Sequence, residues 1–429
     1  MTDAAVKTLA TFFSTSLLLC SVLAMPLRAS GQEIATHGED HPHIEVDDTL
    51  TLEKVLDTAL TRAPERAFSP AYRDYADNQR RASRSLIATA PRLTMSYWDD
   101  QALDDTGLRE MEAGVEMDLW QWGQKQNARQ LADSLQTGSD AWQQFLRLMV
   151  AGELRDSLHQ LAFTEARYTD AQYAVEDARS LLKVSEQLLR TGAIPRAAVM
   201  QSEALVLEAR QQLLDRAAEK VDAERRYFTL TGLMQRPADF SETAPAGQQR
   251  EITINHPQLK FLQARRQQQA HIVEQERYRA VDNTTLSVGM RRQRGSALEP
   301  DIDSVGLAIT IPFGGGSHRN ASASAAAVAL ADADVRLYQA QRALTGQLHE
   351  VTHQLEVIRD AIDYAARARD LNRERWQMTR KAFSLGESDI QATILALRAY
   401  RQSQLQWQLQ TLKQNALISS LKQTLGQLP

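Results

Sequence analysis

The chain has 429 residues, with 49 Lys and Arg against 54 Asp and Glu and a formal net charge of −5. That mild acidity argues against a nucleic-acid binder, whose contact surface has to be basic. Cysteine occurs once, at Cys20, which excludes a disulfide framework within the chain and a cysteine metal cluster. Aromatic residues are sparse and Ala, Leu, Gln and Arg abound, a balance that favours long helices over a thick globular core.

In chain order, Lys7 precedes an apolar run from Thr11 to Met25 and then Ala29-Ser30-Gly31. A basic start, an apolar centre and a small-residue exit predict a signal peptide over 1–31, cleaved after Gly31. The other reading is a membrane anchor, for which the run is short against the roughly 20 residues of a helical span. Leu19 before Cys20 does not suit lipidation. Residues 32–48 read as a flexible segment in which His37, His41 and His43 accompany Glu39 and Asp40. This is either a metal-collecting tail or a leader whose histidines have no role.

Residues 49–234 form a first repeat. A short helix (50–61) and a second (70–89) lead to strands at about 91–98 and 109–120, then a long helix at 124–190 and a returning helix at 193–232. The long segment contains no proline, and its only glycines are Gly138 and Gly152. At about 1.5 Å per residue it makes a rod of roughly 100 Å, longer than a globular domain needs. Its apolar seam steps by four and three through Leu131, Leu135, Gly138, Trp142, Phe145 and Met149, then shifts to Leu154, Leu158 and Leu161. That is coiled-coil spacing with a stutter, so the rod has to pack along other long helices. Pro237, Pro245 and Gly247 mark a linker over 235–252.

Residues 253–429 repeat the order: a helix at 257–280, strands at about 284–291 and 303–313, a long helix at 320–383 and a returning helix at 389–425. The anchors keep a nearly constant offset. Pro64 falls on Pro257, Gly114 on Gly306, Gly123 on Gly315, Gly192 on Gly386 and Gly232 on Gly426, which reads as one tandem duplication.

The strands alternate. Met111, Ala113, Val115, Met117 and Leu119 are interleaved with Glu112, Gly114, Glu116 and Asp118, and Val305, Leu307, Ile309 and Ile311 alternate with smaller or polar residues. One reading is a soluble antiparallel sheet with one wet face. The other is a membrane barrel. Four strands cannot close one, and open edges cannot sit in lipid, so copies would have to share it; three copies would give twelve strands, within the range of outer-membrane barrels. Glu112, Glu116 and Asp118 would then face the lumen, as a filter or as simple solvation, with Arg291 balancing them. Residues 99–108 and 295–302 are polar loops, and Trp98, Trp120 and Trp122 lie near strand ends, where an aromatic girdle would be.

Taken together, these features resemble the TolC family of bacterial outer-membrane efflux proteins. Pro312-Phe313-Gly314-Gly315 resembles the family's exit from the last strand. Leu119-Trp120-Gln121-Trp122-Gly123-Gln124-Lys125 resembles the first-half exit, with a lean to the heavy-metal branch. Gly192 and Gly386 match the glycine of each helix-to-helix turn. The resemblance implies a mainly α fold with a membrane β-barrel portion, in which long coiled-coil helices form an α-barrel tunnel and four strands per protomer enter a shared barrel. It implies a homotrimer in the outer membrane, in contact with its lipid and extending into the periplasm. A periplasmic adaptor and an inner-membrane pump of the RND or ABC type would be its partners, with no cofactor.

The expected function is the exit duct of a tripartite efflux system, with metal cations or drugs as candidate substrates. A duct for type I protein secretion and a non-channel periplasmic coiled-coil scaffold are the alternatives. Neither a nucleophile elbow nor a phosphate loop is present, and no enzyme is expected. The periplasmic tip is the natural gate, with Arg190 before Gly192 and with Glu387 and Asp389 after Gly386. Familiar relatives carry acids six and nine residues after that glycine. Ala392 and Leu395 stand there in this chain, so that gate does not carry over. Ser388 and Asp389 also suit a plain helix cap.

Overall fold

The computed structural model describes residues 43–245 and 251–429. The leader expected over 1–31, and with it His37 and His41, lies outside the described residues. The elements run β1 (Glu45–Asp47), α1 (Leu52–Arg62), α2 (Phe68–Arg84), β2 (Arg92–Asp99), β3 (Arg109–Leu119), α3 (Gln124–Arg190), α4 (Arg196–Thr231) and β4 (Gln235–Pro237). They continue with α5 (Pro257–Arg279), β5 (Thr284–Arg294), β6 (Ile302–Thr310), α6 (Gly316–Ser384) and α7 (Ile390–Thr424). Helices α3 and α6 have 67 and 69 residues, so each is about 100 Å long.

An isolated helix of this composition gains little from propensity; its stability comes from the buried stripe. In α3 that stripe runs through Leu131 and Leu135, then Leu146, Val150, Leu154, Leu158 and Leu161, then Val175, Ala178 and Leu181. Leu131 and Leu135 pack with Ala76 of α2, and beyond them the stripe crosses two larger cores. In the first, Leu146 to Leu161 meet Val55, Leu56 and Ala59 of α1 and Tyr227 of α4. In the second, Val175 to Leu181 meet Leu205 of α4, Trp376 and Phe383 of α6, and Ile390 and Leu397 of α7. Fully burying one such Leu contributes about 1.5–3 kcal/mol, so each core holds its helices in register.

Helix α2 ends at Arg84 rather than near 89. The Ser85 Oγ accepts the Ile87 N–H at 3.2 Å, and Ala88 N–H donates to the Asp118 carbonyl at 2.8 Å. The chain is drawn off the helix towards the sheet before Pro91. Strand β6 ends at Thr310 rather than 313, because Pro312 has no N–H for the ladder. Helix α6 then starts at Gly316, four residues before the expected 320.

The expectation of flexibility over 32–48 needs correction. Part of the 32–48 segment belongs to the body: β1 pairs in parallel with β4, Glu45 opposite Gln235, and Ile44 is buried. The first part of the linker is also held. Tyr227 donates its hydroxyl to the Gln235 carbonyl at 2.9 Å, Phe240 packs edge-on against His159, and Glu242 is buried in an ion pair. Strands of three residues carry no readable periodicity.

Candidate pore wall, strand exits and helical tip

Strands β2, β3, β5 and β6 form one antiparallel sheet in that order. Among the described residues, β2 and β6 have no strand on their outer edges. Opposed residues share a face, and the register sorts the side chains cleanly. Leu93 lies opposite Val115, Val115 opposite Val288, and Val288 opposite Leu307. This apolar face lies open: Leu93, Met95 and Leu307 are 72%, 74% and 68% exposed. An apolar sheet face with two free edges is unstable in water and needs a partner or a lipid surface.

The opposite face carries the charges. Glu112 and Glu116 lie there as expected, Glu112 opposite Arg291 and Glu116 opposite Ser287. Asp118 is on the same face but is not a free lumen charge. It is buried; Arg92 donates to it twice, at 2.9 and 3.0 Å, and Thr89 and Thr285 donate at 2.6 and 3.0 Å. It anchors the helix end of the sheet. Arg291 does not balance all three carboxylates either. It pairs with Glu110 at 2.6 Å, while Arg92 serves Glu116 at 3.4 Å and Asp118. Sequence reasoning missed Arg92 and Glu110, although both sit at the polar parity of their strands.

At the strand exits, Gly123 and Gly315 hold φ of +80° and +82°, left-handed values that turn each strand into its long helix. The Trp120 indole is turned inward and donates to the Ser85 carbonyl at 3.1 Å, so it does not belong to an outward girdle. Trp122 and Phe313 do stand free, at 100% and 97% exposure, one at each exit, Phe313 directly after Pro312. Trp98 is exposed too but sits opposite Glu110, on the polar face. Gln121, another residue sequence reasoning missed, donates its amide to the Tyr278 and Val281 carbonyls at 3.1 and 2.9 Å. It ties the first exit to the end of α5.

At the tip both turns close alike. Ala193 N–H bonds the Leu188 carbonyl and Glu387 N–H bonds the Ala382 carbonyl, each at 2.9 Å, over a glycine with φ of +75° (Gly192) or +80° (Gly386). Arg190, Glu387 and Asp389 are exposed. Asp389 caps α7, its carboxylate accepting the Ala392 N–H at 2.9 Å. Glu387 has no such duty.

A buried polar cluster joins the two halves. Arg155 of α3 donates twice to Glu242, each time at 2.8 Å, and Lys422 of α7 reaches the same carboxylate at 2.8 Å. Arg155 also donates to Gln423 at 2.5 Å and to the Gln427 carbonyl at 3.1 Å. One turn on, His159 meets Ser419 at 3.0 Å. Burial pushes this imidazole down to about 4, with Glu242 opposing and Arg155 adding to the effect. A histidine depressed in the folded state stays neutral while its unfolded counterpart takes up a proton near pH 6.5. Stability therefore falls as pH drops from 6.5 to about 4, by on the order of 3 kcal/mol in all. His159→Gln should flatten the pH dependence of the thermal midpoint across that window; an unchanged slope would contradict this assignment.

His43, the one histidine of the 32–48 segment among the described residues, lies 3.1 Å from Glu224, and that carboxylate also takes the Ile44 N–H at 3.5 Å. It is spoken for by the body rather than free in a tail. Sequence reasoning also missed a run with H-E-x-x-H spacing, His349-Glu350-Val351-Thr352-His353, on α6. The two histidines line one groove, whereas Glu350 lines another, shared with α3 and α7. Glu350 is thus not placed as a base beside an ion on the histidines, and the run is not a protease centre.

The architecture matches solved outer-membrane channels. VceC of Vibrio cholerae aligns over 88% of this chain and 96% of its own, at 16% identity and a TM-score of 0.70. The transmembrane channel CusC aligns over 95% and 99%, at 15% identity and 0.71. The open state of MtrE from Neisseria gonorrhoeae aligns over 88% and 89%, at 17% identity and 0.62. No protein-family profile matches the sequence, and no curated protein matches it. The chain therefore has the TolC-type fold, helical rods joined to a share of a β-barrel.

Proposed function

We propose that this protein is the outer-membrane duct of a tripartite efflux system, in which three copies close one barrel and one helical tunnel. The observation that carries the reading is the four-stranded sheet with an exposed apolar face, a charged opposite face and two free edges, joined to rods of about 100 Å. In lipid the edges have to be paired, and copies of the same sheet supply the pairs. The rods are long enough to cross a periplasm and to reach an adaptor and an inner-membrane pump.

Two further stripes support assembly from copies. Met200, Leu207 and Leu214 on α4 are exposed at intervals of seven, as are Val357, Tyr364, Leu371 and Met378 on α6. Both are apolar stripes at heptad spacing that stay exposed among the described residues of one chain. In the assembled duct, Glu112 and Glu116 line the barrel lumen, with Arg291 opposite. Trp122 and Phe313 lie at the periplasmic rim. Arg190 and Glu387, repeated by threefold symmetry, ring the tip beyond Gly192 and Gly386.

The test is conductance of the detergent-extracted protein in a planar bilayer. A stable, cation-preferring pore supports the duct, and Glu387→Ala should lower its cation-to-anion permeability ratio while Asp389→Ala mainly loosens α7, by about 1 kcal/mol. A protein that extracts with neither membrane nor detergent overturns the reading and leaves a periplasmic scaffold.

A further inference from the structure

The H-E-x-x-H run on α6 has a geometry that the duct does not use. Residues four apart on a helix stack on one face, so the His349 and His353 imidazoles stand one above the other. Both are exposed, and both line a groove of about 570 Å³. The groove also receives Glu356, one turn beyond His353, and Glu251, from the segment that leads into α5. Two imidazoles and two carboxylates from two parts of the chain thus border one water-accessible space. Thr345 and Thr352 complete its polar wall, with Leu348 at its base.

We propose that His349 and His353 form a two-imidazole clamp for a borderline divalent transition ion of the Zn2+, Ni2+ or Cu2+ class. Neutral imidazole is the preferred nitrogen donor for these ions, and Zn–N bonds of about 2.0–2.1 Å suit a pair of rings on successive turns. Among the described residues no three such groups already converge on one point. The clamp is therefore bidentate in the free chain, and the ion recruits its carboxylate. Helical side chains lean towards the N-terminus, so Glu356 leans towards His353, and Glu251 approaches from across the groove. The remaining positions are left to water. Magnesium and calcium prefer all-oxygen ligand sets and are not expected to compete.

The experiment is a calorimetric titration of the full chain in detergent with NiCl2 and with ZnCl2 at pH 7.5. One ion per chain is expected to be lost, or its affinity weakened at least about tenfold, in His349→Ala and in His353→Ala. Glu356→Gln is expected to weaken it less. Both histidines are exposed, so these variants keep the wild-type thermal midpoint, which is measured alongside. Binding that survives both single histidine changes overturns the clamp. So does binding that disappears only when His37, His41 and His43 are replaced, because the ion would then sit on the N-terminal segment. Absence of any Ni2+ or Zn2+ binding to the intact chain also overturns it.

Discussion

Leu307→Arg is expected to prevent stable assembly in the membrane, and Ser287→Arg is expected to be tolerated. Leu307 lies near the middle of β6 on the exposed apolar face, whereas Ser287 lies on the charged face, opposite Glu116. A guanidinium at the bilayer midplane of a barrel costs about 2–4 kcal/mol per copy, and three copies incur it together. In the proposed duct the charged face meets water, and an Arg there would gain Glu116 as a neighbour. Membrane fractionation with unboiled gel migration reads the result directly. The Leu307 variant should lose the heat-resistant oligomer and the Ser287 variant should keep it. Equal tolerance of both changes would mean that the apolar face does not meet lipid.

Arg155→Ala should be the most damaging change in the helical body, at about 3–5 kcal/mol. The Arg155 and Glu242 side chains are each only 4% exposed, and truncating one partner of a buried pair leaves a charge without its counter-ion. Lys422 would remain on Glu242 but cannot replace the two-point Arg contact. Burial raises the Glu242 carboxyl, yet hydrogen bonds from Arg155 and Lys422 outweigh it and hold the group below its usual range. The stabilisation from this group is therefore present above the ordinary carboxylate pKa and is lost as acid protonates Glu242. In Arg155→Ala this acid-labile component should shrink. The double change Arg155→Met with Glu242→Leu should recover much of the stability, because matched apolar side chains leave no stranded charge. Chemical unfolding of the three variants in detergent measures each part; a double variant as unstable as the single would contradict the account.

Much of this architecture can be read from the residues. Proline-free composition and an apolar seam define α3, whose expected bounds of 124 and 190 are those of the helix. Period-two alternation defines all four strands of the sheet, because each strand has one face for water and one for an apolar medium. The paired glycines at 192 and 386 mark both tip turns, since left-handed backbone favours glycine there. Other features depend on contacts between residues far apart in the chain. Asp118 looks like a lumen charge by parity alone, but Thr89, Arg92 and Thr285 converge on it from three segments. Trp120 looks like a girdle residue until the end of α2 brings the Ser85 carbonyl to its indole. The Arg155–Glu242 pair joins a long helix to what reads as a linker, and no local pattern announces it. Arg291 lies opposite Glu112 but pairs with Glu110 on the diagonal, a choice that strand parity alone does not determine.

In the proposed duct β2 of one copy pairs with β6 of the next. Cys20 is the sole cysteine, so a Cys20→Ser background gives a clean test. Single cysteines at Leu93, Met95 or Tyr97 of β2 would be combined with single cysteines at Val305, Leu307 or Ile309 of β6, and the membranes oxidised. Neighbouring strands bring paired Cα atoms to about 4.5–5.5 Å, within disulfide reach, so at least one combination should yield a covalent trimer with no larger species. If the protein is recovered from the outer membrane and every combination stays monomeric, the shared barrel is wrong.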